Sequence, residues 1–177
     1  MGKKELQDFI KTKKESFEKK KVDWNEIKKR WLKKLDELYE NIEIWFKDLK
    51  DSGDISINYS DINLNEENLG IYTAKKMIIT IYNEQVLLEP IGTLLIGAKG
   101  RVDMIGKNGK VKIVLAPKLS KAPSIKISVP TDEKKKKAER EIPIETSWKL
   151  AKRLPDMTYE ELTSDSFSDA VREVIGA

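Results

Sequence analysis

Two residue types are missing from this chain of 177 residues: it contains neither cysteine nor histidine. Without thiols there is no disulfide framework, no thiol nucleophile and no thiolate metal site. Without imidazole there is no Ser-His-Asp or Cys-His arrangement, no histidine-bearing zinc site and no proton shuttle working near neutral pH. Chemistry at such a protein is confined to carboxylates, lysines, hydroxyls or a metal held by carboxylates. Long apolar runs are missing too: none approaches the roughly 18 residues that cross a bilayer, and MGKKELQDFIKTKK lacks the apolar core of a secretory signal. A cytoplasmic chain without a membrane partner is therefore expected, and its size and lysine-rich composition suggest a bacterial one.

What is present is charge. Charged residues make up 36% of the chain and apolar ones 39%, and the apolar residues cluster in periodic runs, so a folded chain is expected. The net charge of +4 is unevenly spread. Residues 71–130 carry 10 basic and 3 acidic side chains, whereas residues 51–70 carry five acidic and none basic. Solubility accounts for such a pattern; its functional meaning would be an anionic partner, either an acidic protein surface or nucleic acid.

From Trp24 the apolar residues fall at Trp24, Ile27, Trp31, Leu35, Leu38, Ile42, Trp45 and Leu49, in steps of three and four, which predicts a helix with one apolar stripe. Asp23, with Glu26 three residues on, is its expected cap. Leu6, Phe9, Ile10 and Phe17 predict an earlier amphipathic helix, so the arm is either a hairpin or one long helix, ending at Asp51-Ser52-Gly53-Asp54. The period then drops to two. Strands are expected at 55–59, 76–82, 86–89, 93–96, 101–105, 111–115 and 125–129, with a loop over 60–70, a type I′ turn at Asn108-Gly109, and Pro90 barring a central strand from continuing. Trp148, Leu150, Ala151 and Leu154 suggest one short helix, ended by Pro155, and Phe167 to Ile175 another, capped by Ser164 or Asp165. The fold class expected is α+β: a helical arm (1–52), a β-rich body (53–145) whose antiparallel meander curls toward a barrel or roll, and a C-terminal helical cap (146–177).

The sharpest local feature runs from Gly100 to Lys118, with Asp103 on one strand and Lys118 beyond the next. It resembles the central hairpin of PD-(D/E)xK nucleases, where an Asp and an acidic-x-Lys element hold a divalent metal. The resemblance implies catalytic roles for Asp103 and Lys118. Ala116 and Pro117 occupy the place of the second carboxylate and its neighbour, so the implied enzyme is degenerate. The plainer reading is that Arg101 and Asp103, two apart on one face, form an ion pair. No nucleotide loop is present, and no cofactor is expected.

The function expected is that of a non-catalytic interaction or accessory protein, an inhibitor or adaptor. Its contacts would be made by the helical stripe through Trp24, Trp31 and Trp45, and by the basic body through Lys99, Arg101, Lys107 and Lys110, with a protein partner or self-association. Covering the sheet is the stripe's competing role. Two alternatives stay open: a nonspecific nucleic-acid-binding module, for which Lys75, Lys76, Lys112, Lys118, Lys121 and Lys126 would join the basic surface, and the degenerate nuclease-like fold.

Overall fold

The structure is a computed structural model that describes residues 2–19, 23–93, 99–123, 145–152 and 157–177. The arm is not one continuous helix. It comprises α1 (Gly2–Lys19), α2 (Trp24–Trp45) and the single turn α3 (Lys47–Asp51). The Asp23 carboxylate accepts from the Glu26 backbone N–H at 3.1 Å, satisfying one of the donors a helix start leaves open.

Seven strands follow: β1 (Ile55–Glu66), β2 (Gly70–Ile81), β3 (Glu84–Gly92), β4 (Arg101–Gly106), β5 (Gly109–Pro117), β6 (Thr146–Lys152) and β7 (Thr158–Glu161), before α4 (Ser164–Ile175) ends the chain. They form one antiparallel sheet in sequence order, β1 to β7. The fold is thus α+β, as expected. The sheet is open, with β1 and β7 at its edges, and does not close into a barrel.

One face of this sheet is the core. Met77, Ile79, Val86, Leu88, Val102, Met104, Ile113, Leu115, Trp148 and Leu150 all bury their side chains there, as alternation along each strand requires. Helices α2 and α4 cover it. From α2 come Trp31, Leu35, Leu38, Tyr39 and Ile42, and from α4 come Phe167, Ala170, Val171 and Val174. The helices meet through aromatic rings, with Phe46 and Phe167 centroids 5.3 Å apart and Trp45 and Phe167 5.8 Å apart. The Tyr39 hydroxyl donates to the Lys75 carbonyl at 2.6 Å, and the Trp148 indole N–H donates to the Lys34 carbonyl at 3.0 Å, fixing α2 at both sides of the sheet.

Several sequence expectations need correction. The loop expected over 60–70 is mostly strand: β1 and β2 pair without interruption from Ile55↔Ile81 to Glu66↔Gly70. Their inward residues change phase midway, since Ala74 and Met77 are both buried though three apart, so the alternation breaks where the ladder does not. Pro90 lies inside β3, opposite Val102 and at a bulge, beyond Met77↔Leu88 where the β2 pairing stops. A missing N–H costs least there.

The helix expected from Trp148 is strand β6, because Trp148 and Leu150 point inward while Lys149 and Ala151 lie on the other face. Finally, α4 is capped by Thr163 in a capping box with Ser166, one residue earlier than expected. The strands expected at 93–96 and 125–129, the lysine run at 134–137, and Leu154 with Pro155 fall wholly or mostly outside the described residues.

The β4–β5 hairpin docks α4. Gly106 and Gly109 form its closing pair, leaving Lys107 and Asn108 as the turn, and the turn expected at Asn108-Gly109 is shifted by one. Asn108 is bound to the helix end: its backbone N–H donates to the Val174 carbonyl at 2.8 Å and its side-chain amide to the Glu173 carbonyl at 3.3 Å. Both acceptors belong to the last turn of a helix, whose carbonyls lack partners within it. A β-carbon on Gly106 would stand 2.3 Å from the Val174 oxygen, so only glycine permits this approach.

Candidate functional site

The face of the sheet opposite α2 and α4 carries charge. Strand register places Glu89, Asp103, Lys112 and Ala151 in one row across β3 to β6, and Arg101, Val114, Lys149 and Glu161 in the next row across β4 to β7. Asp103 is only 2% exposed. Arg101 grips it from the same strand, Nε donating to Oδ1 at 2.6 Å and Nη2 to Oδ2 at 2.9 Å, and Lys110 Nζ stands 3.1 Å from Oδ2. This forked geometry is the strongest form of the carboxylate–cation contact. It is also the ion pair that their two-residue spacing implied.

Lys149 is the second buried charge of this face. Its ammonium group donates to the Lys118 and Ser120 carbonyls at 2.7 and 2.6 Å and pairs with Glu161 at 2.9 Å. Three acceptors match the three protons of an ammonium, so the side chain ties the segment after β5 to the sheet.

The nuclease-like hairpin does not assemble. Both oxygens of Asp103 are taken by cations, Ala116 is fully buried, and Lys118 pairs across 3.4 Å with Glu145 at the surface. Sequence reasoning overlooked Glu89, which faces Asp103 across the β3–β4 ladder on the same side of the sheet. Its pairing could be read only from strand register, because 14 positions separate the two residues. Like charges placed opposite each other repel, and Arg101 and Lys110 offset that repulsion. Among the described residues no three carboxylates gather as metal ligands.

Several of the basic residues are matched by acids. Lys107 pairs with Glu84, Lys110 with Asp103, Lys118 with Glu145 and Lys152 with Glu160. Beside α4 lies a groove of about 500 Å³ where Lys110, Lys112 and Lys152 confront Glu160, Asp169 and Glu173. The Glu160 carboxylate hydrogen-bonded to Lys152, with Glu173 and Asp169 nearby, holds that lysine's pKa above its ordinary value. Balanced charges of this kind attract ions of neither sign strongly. Lys99 sits in the short segment that pairs with β5, its N–H donating to the Leu115 carbonyl at 2.7 Å.

The tryptophan stripe faces inward. Trp31 is 2% exposed, with its ring against Gly100, where a β-carbon would come within 2.4 Å of it, and 6.0 Å from that of Trp148. Trp45 packs on Phe167, and Trp24 is half-buried. The area proposed for a partner at Trp31 is occupied by the protein's own sheet; covering the sheet is what this part of the stripe does.

A polar cluster close by escaped the sequence reading. The Glu66 carboxylate accepts from the Tyr72 hydroxyl, from the Thr93 N–H at 3.0 Å and from the Thr93 hydroxyl at 2.7 Å. Burial, reinforced by this carboxylate, pushes the Tyr72 phenol well above its ordinary pKa. The Trp31 indole N–H lies near enough to oppose that rise slightly, yet it makes no hydrogen bond of acceptable geometry.

Among the described residues large apolar side chains are exposed singly at Ile44, Ile71, Tyr82 and Leu119, and as a group on α1. Every side chain described there, from Gly2 to Glu15, is exposed, including Leu6 at 57%, Phe9 at 59% and Ile10 at 54%. Three large apolar residues at spacings of three and four form one continuous strip. Compared with known proteins, the chain matches no family model, no curated protein and no solved structure.

Proposed function

We propose that this protein is a non-catalytic interaction or accessory protein that docks another macromolecule through α1, with the basic body contributing a secondary contact. The supporting observation is the exposed Leu6–Phe9–Ile10 strip on a helix whose described side chains are all open to solvent. An isolated amphipathic helix gains most of its stability from packing its apolar face, and a strip of this spacing is what helix-in-groove recognition uses. In the body the buried aspartate is neutralised by Arg101 and Lys110, and Lys107, Lys118 and Lys152 are matched by Glu84, Glu145 and Glu160. Matching of these lysines weakens the nucleic-acid reading, which then falls to Lys75, Lys76, Lys99 and Lys121, because phosphate binding draws on unmatched cations.

Affinity capture from the source cells, comparing the native chain with the triple variant Leu6→Ser, Phe9→Ser, Ile10→Ser, tests the reading. Loss of the captured macromolecule in the triple variant is the expected result. Capture that survives the triple change but disappears with salt would move the contact to the basic body.

A further inference from the structure

The two edges of the open sheet are managed differently. At β7 the edge strand is four residues long, and its Tyr159 backbone N–H donates to the Lys121 carbonyl at 2.8 Å, so the segment after β5 covers part of it. At β1 the edge strand is twelve residues long and contains no proline, lysine or arginine. Those are the residues that commonly keep an edge from pairing with another chain. The hydrogen-bond parity of the ladder fixes which groups are open. The two-residue turn Tyr82-Asn83 makes Ile81 and Glu84 a hydrogen-bonded pair, so Ile81 points its N–H and C=O toward β3. Its partner on the other side, Ile55, therefore points its own away from β2, as do Ile57, Tyr59, Asp61, Asn63 and Asn65. The Lys75 carbonyl, of the same parity as Ile81, follows this rule: it faces away from β1 and accepts from the Tyr39 hydroxyl at 2.6 Å. Among the described residues nothing hydrogen-bonds to the outward backbone groups of β1.

Charge at this edge is of one sign. Residues 51–70 carry five acidic side chains and no basic one. Asp51 is paired with Lys47, and Glu66 is turned to Tyr72 and Thr93. Asp54, Asp61 and Glu67 are exposed, and none of the three has an ion-pair partner among the described residues. Lys75 and Lys76 stand opposite Asp61 and Ser60 on β2, one strand farther from the edge, and Lys50 of α3 is engaged by Glu43. A strand arriving at β1 thus meets carboxylates first. We propose that β1 is the docking edge for an extended segment of another protein, bearing Lys or Arg, that adds to the sheet beside it. The six outward residues supply main-chain hydrogen bonds, and the acids select a basic strand over an acidic one. A second copy of the chain fits poorly. Full overlap of two antiparallel β1 strands sets Asp61 against or beside Asp61 and brings Asp54 close to Glu66 and Glu67, with no base between them. Nucleic acid and anionic lipid are repelled by the same carboxylates. This contact is separate from α1 and does not depend on its docking role.

The test places the photo-crosslinking residue benzoylphenylalanine at position 58 of the full chain in the cells that make it, and at position 83 as a control. Asn58 is exposed on β1, and Asn83 is exposed in the β2–β3 turn. Adducts are mapped by mass spectrometry. The expected result is an adduct at 58 and not at 83, on a segment of another protein with more Lys and Arg than Asp and Glu. Asn63→Pro removes an outward N–H and sets a ring in the path of the incoming strand while sparing the bonds to β2, so the yield should fall about tenfold or more. The combined changes Asp54→Lys, Asp61→Lys and Glu67→Lys should lower it to a similar extent, about tenfold. All three positions are exposed, so this variant decides the question even if Asn63→Pro does not fold. An adduct that a folded Asn63→Pro leaves intact overturns strand addition, and one that the Lys changes leave intact overturns the basic partner. An adduct to an acidic or neutral segment, a second copy, lipid or nucleic acid overturns the inference, as does no adduct above the control. None of these outcomes bears on the docking role of α1.

Discussion

At the scale of single residues, the most informative side chain is Asp103. It is an acid almost wholly removed from water and tied to two cations, one of which, Arg101, is itself mostly buried. Removing one partner from a fully buried pair costs about 3–5 kcal/mol because the other charge is stranded. Here Lys110 is half exposed and can rehydrate, and Arg101 partly so, which reduces the expected loss for Asp103→Ala to about 2 kcal/mol. Asp103→Asn keeps the shape and one acceptor, and a smaller loss is expected. Urea denaturation of both variants checks the order. If Asp103→Ala is as stable as the native protein, the pair is not a structural element, and the charge row on that sheet face becomes a candidate binding surface.

Between elements, the contact that most depends on sequence detail is the seat of α4 on the β4–β5 hairpin. Gly106→Ala places a methyl group where the Val174 carbonyl oxygen now stands, against backbone that cannot rotate aside. The hairpin and helix must separate, at a cost of about 1–3 kcal/mol typical of overpacking. Amide exchange should show it locally, with faster exchange at Asn108 and in the last turn of α4, while the β1–β2 ladder keeps its protection.

The elements also show how far the sequence could be read. Helix α2 and its buried stripe were legible because Trp31, Leu35, Leu38 and Ile42 keep the 3.6-residue period without a break. Strands β4 and β5 were legible through alternation between glycine turns. The far half of the β1–β2 hairpin was not, because its inward residues shift phase at Lys75-Lys76, and alternation cannot separate a shifted strand from a loop. Strand β6 was mistaken for a helix because Trp148, Leu150 and Ala151 are too few to distinguish the two periods. At the candidate site, the Arg101–Asp103 pair follows from a two-residue spacing, whereas Glu89 and the Glu66–Tyr72–Thr93 cluster depend on strand pairing that local sequence does not encode.

At the scale of the whole molecule, the chain divides its apolar residues unequally. The sheet face beneath α2 and α4 is closed, with Trp31, Phe167, Met77, Ile79, Leu88 and Met104 essentially out of water. The described apolar side chains of the first helix, Leu6, Phe9 and Ile10, are not spent in this way. This asymmetry is the physical basis for assigning function to α1: a body that folds on its own core, and an arm whose apolar strip awaits a surface to cover it. The Trp stripe of α2, although richer in residues common at interfaces, has already found partners in the protein itself, Trp31 against the sheet and Trp45 against α4.

Independence of α1 from the body is therefore the claim on which the functional account stands, and the equilibrium stability of the Leu6→Ser, Phe9→Ser, Ile10→Ser variant measures it most directly. Surface changes away from packed features shift stability by no more than about 0.5 kcal/mol, whereas emptying a packed apolar contact costs about 2 kcal/mol or more for each large side chain. A urea midpoint and m-value unchanged from those of the native chain are the expected result. A loss of several kcal/mol would show that the strip is packed against the protein itself, and α1 would then be part of the fold and not its docking surface.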